Sequence, residues 1–205
     1  MPLPPVPPAP TAALVLAAGS SSRLGRPKQL LLFQRETLLH RAVRTALAAG
    51  CTPVIIVTGA LDAELRQAVA DLPCQVVHNA DWAAGMGASV RAGLAALAEG
   101  PAVLVMSCDQ PLVTARHLRQ LRRRQQQTAA LAAAAAYAGT FGIPAVFAPA
   151  AVADLRHLRP EQGAKPLLAR YGPALALVPM ADAAFDVDTP AAYQELLRRP
   201  GRGPA

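Results

Sequence analysis

Cysteine, lysine and aromatic residues are all scarce in this sequence of 205 residues, and each shortage excludes something. Cys51, Cys74 and Cys108 are odd in number and far apart, which fits neither a disulfide-stapled scaffold nor a zinc knuckle and suits a reducing compartment. Aromatics make up 4% of the chain and Trp82 is its one tryptophan, so base-stacking platforms for nucleic acid are poorly supplied. Charged residues are 16% against 53% hydrophobic, a balance that excludes disorder throughout and provides apolar surface for one full core. The net charge of +7 is almost wholly arginine, because Lys28 and Lys165 are the two lysines. Arg116, Arg119, Arg122, Arg123 and Arg124 cluster on one predicted helix, and Arg198, Arg199 and Arg202 fall in a Gly/Pro-rich tail. Such a run reads as a solvated face rather than a track for nucleic acid, while the field suits a small acidic substrate.

No stretch has the make-up of a membrane anchor. Residues 12–18 are apolar, but no basic residue precedes them and the first ten residues are rich in proline. Residues 128–153 carry no charge over a bilayer-spanning length. They are mostly alanine, are broken by Gly139, Gly142, Pro144 and Pro149, and read as two buried strands with a turn near Gly139. The expectation is a soluble cytoplasmic protein with an unstructured Pro-rich leader at 1–10, one domain at 11–198 and a flexible tail at 199–205.

Short apolar runs alternate with amphipathic segments. The runs predict strands at 11–16, 53–57, 75–78, 102–106, 131–137, 143–147 and 175–179. Helical spacing covers 37–49, 61–70, 89–98, 114–125, 150–158, 165–171 and 190–198, with Gly50 placed as a C-cap and Thr114 as an N-cap. This alternation predicts an α/β fold: one Rossmann-like domain with a mostly parallel central sheet and helices on both faces. Ligands in such sheets bind beyond the carboxyl ends of the strands, which directs attention to the loops at 17–28, 58–59, 79–89, 107–111 and 185–189.

The first loop reads LAAGSSSRLGRPK from Leu16 to Lys28. Its small residues let backbone N–H groups approach a phosphate, and Arg23 and Lys28 supply the opposing charge. It is neither a Walker A loop, since Arg-Pro-Lys follows Gly25, nor a dinucleotide fingerprint, since Gly19-Ser20-Ser21 lacks the second glycine. Asp109, in Ser107-Cys108-Asp109-Gln110-Pro111, stands at a strand's carboxyl end, where a carboxylate can hold Mg²⁺ or cap the following helix. In Phe185-Asp-Val-Asp-Thr-Pro190 the two carboxylates alternate along an extended segment, so one is expected to face the site, Asp188 being favoured, and Asp186 to cap the last helix. The segment 79–89 is a glycine-loosened loop that opens a helix, with Ser89 able to hydrogen-bond a base or ribose. Cys108 and His40 read as a small buried residue and a helix-face histidine.

Together these loops resemble the nucleotidyltransferases of GT-A-like Rossmann fold, and most closely the molybdenum cofactor cytidylyltransferase family. The resemblance spans residues 14–197 and is carried by LAAGSSSRLGRPKQLLL, NADWAAGMGASVRAG and CDQPLV, with GIPAVF, QGAKPLL and FDVDTP following in order. It implies that Leu16, Ala17, Ala18, Gly19 and Ser20, with Thr58, Asn79, Gly85 and Ser89, contact a nucleoside triphosphate. Arg23 and Lys28 would balance phosphate charge, and Asp109 and Asp188 would bind Mg²⁺. Related guanylyltransferases carry a second glycine where this chain has Ala18, which favours CTP over GTP. Lys165 stands where relatives often show arginine. The implied reaction transfers CMP from CTP to the molybdopterin-bound molybdenum cofactor and releases pyrophosphate, with transient contact to a recipient molybdoenzyme or its accessory protein. The alternatives are the same chemistry with GTP or another phosphorylated acceptor, and a non-catalytic carrier of the cofactor.

Overall fold

The structure is a computed structural model that describes residues 10–199. The expected leader and tail therefore lie outside the described residues, Pro10 and Arg199 apart.

Unbroken apolar runs make the centre of the sheet. Strands β1 (Thr11–Leu16), β4 (Val54–Thr58), β5 (Gln75–His78) and β6 (Ala102–Ser107) run parallel. Beyond β6 lie β8 (Thr140–Phe147), β7 (Ala132–Tyr137) and β9 (Leu175–Pro179), giving the order β5-β4-β1-β6-β8-β7-β9. Only β8 runs against its neighbours, as the hairpin predicted near Gly139 requires. Tyr137 pairs with Thr140 across a two-residue turn, and Ala138 and Gly139 both take positive φ, the pattern of the hairpin turn that matches strand twist.

Both faces are covered, as the near-continuous apolarity of β1, β4 and β6 demands. One core joins Ala13, Val15, Ile56, Leu104 and Met106 to α1 (Leu38–Ala48), α2 (Asp62–Gln67) and α4 (Ala115–Thr128). The opposite core packs Leu14, Ile55, Val103 and Phe147 against α3 (Met86–Ala95), α5 (Pro149–Arg156) and α6 (Ala164–Arg170). A smaller cluster of Leu24, Leu31, Phe33, Leu38 and Val187 seats Tyr193 and Leu196 of α7 (Pro190–Arg198), which ties the first loop to the end of the chain.

Several boundaries differ from the sequence reading. The helix expected at 61–70 shortens to α2, and the one expected at 89–98 starts three residues earlier, at Met86, because Gly85 (φ 124°) turns the chain sharply into it. A small hairpin was not predicted: β2 (Leu32–Phe33) pairs with β3 (Glu36–Thr37) through Gln34 and Arg35, both at positive φ without the glycine or asparagine that signals such a turn. The arginine run is only partly solvated. Arg119 donates to Ala48 O, and Arg122 to Ala49 O and Thr11 Oγ1, so these two cap the end of α1 and fasten α4 to β1. His40 sits between Glu36 and Asp71, 3.2 Å from each. Among the described residues no helix is long and apolar enough to cross a membrane.

Candidate active site

Backbone hydrogen bonds gather the suspected loops at one rim of the sheet. Ala17 N donates to Val57 O, Cys108 N to Leu16 O and Asn79 N to Thr58 O, which holds the carboxyl ends of β1, β4, β5 and β6 level. Val187 N donates to Asp109 O at 2.9 Å, so the acidic segment before α7 lies against the loop after β6. The result is a cavity of about 300 Å³ lined by Leu16, Ala17, Ala18, Gly19, Ser20, Lys28, Gln29, Trp82, Gly85, Ser89 and the segment 107–109. A neighbouring cavity of about 370 Å³ on the other flank of the first loop is lined by Arg26, Pro27, Ala60 and Leu61 and contains none of the acidic residues.

Charge concentrates at the inner end of the first cavity. The Lys28 ammonium donates to Asp109 Oδ2 and, at 2.7 Å, to Asp188 Oδ1; Arg23 donates to Asp188 Oδ2 at 2.7 Å. Lys28 and Asp109 are well shielded, with side chains 16% and 13% exposed, whereas Arg23 is 72% exposed and anchored through Asp188. Burial works against the Lys28 ammonium, but Asp109 and Asp188 more than offset it and hold its pKa above the ordinary lysine value. Burial likewise pushes Asp188 up, and Lys28 and Arg23 win, keeping its carboxyl below the usual range.

Asp186 corrects the sequence reading. It does not cap α7: the Thr189 hydroxyl does, accepting from Ala192 N at 3.2 Å. Asp186 is exposed at the surface, yet the protein beside it and the negative charges of Asp109 and Asp188 push its carboxyl up to about 6, against the pull of Gln110 and Lys28. Neither aspartate of this segment lines the cavity itself; Asp188 reaches the site by gripping Lys28, and Asp186 lies near enough to feel the charges of Asp109 and Asp188. Nor does Asp109 cap α4, because Thr114 and His117 form a reciprocal capping box there.

Of the other expected residues, Leu16 to Ser20, Gly85 and Ser89 line the cavity, but Thr58 and Asn79 do not. Thr58 is fully buried and its hydroxyl bonds Asp62 and Val77 O. Asn79 is buried beneath the loop, accepts from Asp81 N and donates to Ser89 Oγ at 3.1 Å, so it orients Ser89. Lys165 is exposed on α6 and does not line the cavity. Cys108 is buried and its thiol is pushed up to about 12 by that burial.

Sequence reasoning missed Trp82, whose indole forms one cavity wall. A Cβ added at Gly59 would come within 2.7 Å of the Trp82 ring and 2.8 Å of Ala18 O, so the glycine after β4 lets the first loop and the indole close together. The signal was the tryptophan's isolation in a weakly aromatic chain.

Among the described residues, no three acidic, histidine or cysteine groups converge to hold a cation unaided. Asp109 and Asp188 are nevertheless hard oxygen donors of the kind Mg²⁺ and Mn²⁺ take, sharing one countercharge, Lys28. The donor set fits a divalent cation whose remaining ligands come from water and a bound polyphosphate.

A family model for the MobA-like NTP transferase domain matches residues 13–175. The chain is 46% identical over 100 residues to nicotine blue oxidoreductase of Paenarthrobacter nicotinovorans, covering 48% of each chain. It is 39% identical over 112 residues to a probable molybdenum cofactor guanylyltransferase of Opitutus terrae (55% of this chain, 54% of that one). It is 32% identical over 114 residues to the molybdenum cofactor cytidylyltransferase of Escherichia coli (53% and 56%). Each match thus spans about half the length of the curated relative. Among solved structures, Rv0371c of Mycobacterium tuberculosis superposes with TM-score 0.80 at 29% identity, over 94% of this chain and all of that one, and has also been solved in complex with manganese.

Proposed function

The chain belongs to the MobA-like NTP transferase family, and we propose that it is a divalent-cation-dependent nucleotidyltransferase that passes CMP from CTP to the molybdopterin-bound molybdenum cofactor. The observation that carries this reading is the Lys28 ammonium held between Asp109 and Asp188 at the end of a cavity walled by the small-residue loop after β1.

The nucleotide base would rest between Ala17–Ala18, Trp82 and Ser89, with the triphosphate running along residues 19–23 toward Lys28. A phosphate oxygen of the acceptor attacks the α-phosphorus, the bond to the bridging oxygen breaks, and pyrophosphate leaves with that electron pair. Held by Asp109 and Asp188, Mg²⁺ or Mn²⁺ would neutralise phosphate charge. Lys28 would meet the phosphates from the inner side and the exposed Arg23 the leaving pyrophosphate from the outer side. A phosphate monoester is already ionised at neutral pH, so no general base is required. Positioning and charge neutralisation supply the acceleration. Ala18, where guanylyltransferases carry glycine, supports cytosine over guanine. The cytoplasm, where the acceptor and a recipient molybdoenzyme or its accessory protein would be met, is the fitting location.

The identity of 46% to nicotine blue oxidoreductase supports a second reading, an oxidoreductase on the same fold. That chemistry gives no use to an ammonium gripped by two carboxylates, which is why transfer is preferred. The test incubates purified protein with Mg²⁺, the molybdenum cofactor and CTP or GTP, and separately with nicotine blue and reduced nicotinamide dinucleotides. Pyrophosphate released from CTP supports the proposal; release from GTP alone reverses the base assignment. Dye reduction without pyrophosphate release sinks it. A pure carrier would bind the cofactor yet release no pyrophosphate and tolerate Asp109→Ala.

A further inference from the structure

We propose that Gln29 and Ser21 form an internal brace that gives the first loop its polyphosphate-binding shape, an inference that rests on the nucleotidyltransferase reading above. Neither residue carries charge, and neither would be singled out as a phosphate ligand.

Gln29 is 1% exposed, an unusual place for an amide beside a cavity mouth. Its Nε2 donates to two carbonyls of the loop, Ala17 O at 2.8 Å and Gly19 O at 2.7 Å. Its Oε1 accepts from Ser21 Oγ at 3.3 Å, and the same hydroxyl accepts from Lys28 N at 3.0 Å. One side chain therefore links the start of the loop, its middle and the backbone of the lysine. Ser21 needs such fastening, because its φ of 55° is left-handed backbone that a non-glycine residue rarely keeps without support.

The consequence follows from peptide geometry. In a trans peptide the C=O of one residue and the N–H of the next point in opposite directions. Drawing the carbonyls of Ala17 and Gly19 onto Gln29 turns the N–H groups of Ala18 and Ser20 the other way. Both residues line the cavity shared with Lys28 and Asp109, and also the cavity on the other flank of the loop. Alternate peptides thus present donors to an anion while their acceptors, which would repel it, are occupied by Gln29. The bond from Lys28 N to Ser21 fixes the lysine to the same frame, so loop donors and ammonium keep a constant spacing. Gln29 and Ser21 are positioning residues: they act on phosphate through Ala18, Ser20 and Lys28.

The test uses the full chain and two probes, pyrophosphate with Mg²⁺ and CTP with Mg²⁺, in calorimetric titrations of wild type, Gln29→Met and Ser21→Ala. The brace predicts that pyrophosphate affinity falls at least tenfold in both variants. In turnover assays the KM for CTP rises by a similar factor while kcat falls less than KM rises. A role confined to stability would lower the active fraction, and so kcat, and leave KM alone. Ser21 lies in a partly exposed loop, so Ser21→Ala decides the matter even if Gln29→Met fails to fold. Folded variants that bind pyrophosphate as wild type does overturn the brace alone. A wild-type protein that binds neither probe overturns the brace together with the reading it rests on.

Discussion

Replacing Lys28 by methionine should slow transfer steeply and, in the same molecule, strengthen the binding of a bare divalent cation. The side chain keeps an unbranched apolar stem that ends one atom short of the ammonium, and loses its charge. One cation about 4 Å from a phosphate oxygen is worth roughly 4 kcal/mol at an effective dielectric near 20, which corresponds to about three decades in rate. Freeing the ammonium from Asp109 and Asp188 costs part of that, so the expected loss in kcat is about two to three decades. In the protein without nucleotide the same substitution leaves Asp109 and Asp188 facing one another without the ammonium that now sits between them, and Asp186 close enough to feel both charges. Breaking a buried pair costs about 3–5 kcal/mol, and partial exposure here reduces this to about 1–3 kcal/mol of stability at neutral pH. Lys28 and Arg23 hold the Asp188 carboxyl low, so its contribution to stability is present above the ordinary carboxylate pKa and lost as pH falls. The gap between wild type and variant should therefore close below about pH 4. Pyrophosphate release, thermal unfolding between pH 4 and 8, and Mn²⁺ titration in the absence of nucleotide read the three effects. Turnover within threefold of wild type, or Mn²⁺ affinity that fails to rise, would refute the reasoning.

Asp109→Asn keeps the side-chain shape, removes the best-shielded carboxylate, and should cost about two decades in pyrophosphate release with a marked rise in the Mg²⁺ concentration needed for half-maximal rate. Asp186→Asn should raise the melting temperature in chelator-containing buffer above pH 6. The Asp186 pKa of about 6 lies above the ordinary value, so ionising it weakens the fold between about pH 4 and 6, and the gain from asparagine should vanish below that window; an unchanged melting curve at pH 7.5 would count against the acidic cluster. Gly59→Ala places a methyl against the Trp82 ring and Ala18 O, and an overpacking cost of about 1–3 kcal/mol at the cavity wall should appear as a tenfold or larger rise in KM for the nucleotide with little change in overall fold by circular dichroism.

Much of the fold was readable because it rests on patterns that composition alone sets. The apolar runs of β1, β4 and β6 have no polar face to turn to water, which forces helices onto both sides and a parallel arrangement. Lys28 stood out as one of two lysines, in the loop after β1, and Asp109 as a carboxylate beside the end of β6. What escaped the sequence depended on distant partners. Gln34 and Arg35 make a tight turn without glycine, so the β2–β3 hairpin left no local mark. Asp186 was assigned to a helix cap because alternation suggested that one aspartate must turn away, but Thr189 takes the cap, and the segment packs against Asp109, close enough for Asp186 to feel its charge. Thr58 sits beside the right loop with its hydroxyl committed inward, a choice of rotamer that spacing does not reveal. Two of the five clustered arginines read as solvent-facing are occupied by the carbonyls that end α1, partners more than seventy residues away.

The most direct measurement is a crystal of the wild-type protein grown with CTP and Mn²⁺, with the metal located by its anomalous scattering. The account predicts manganese on Asp109 and Asp188, the triphosphate along residues 19–23, and Lys28 moved from the carboxylates to the phosphates. A nucleotide bound in any other cavity, or manganese elsewhere with Lys28 still gripped by both aspartates, would contradict it.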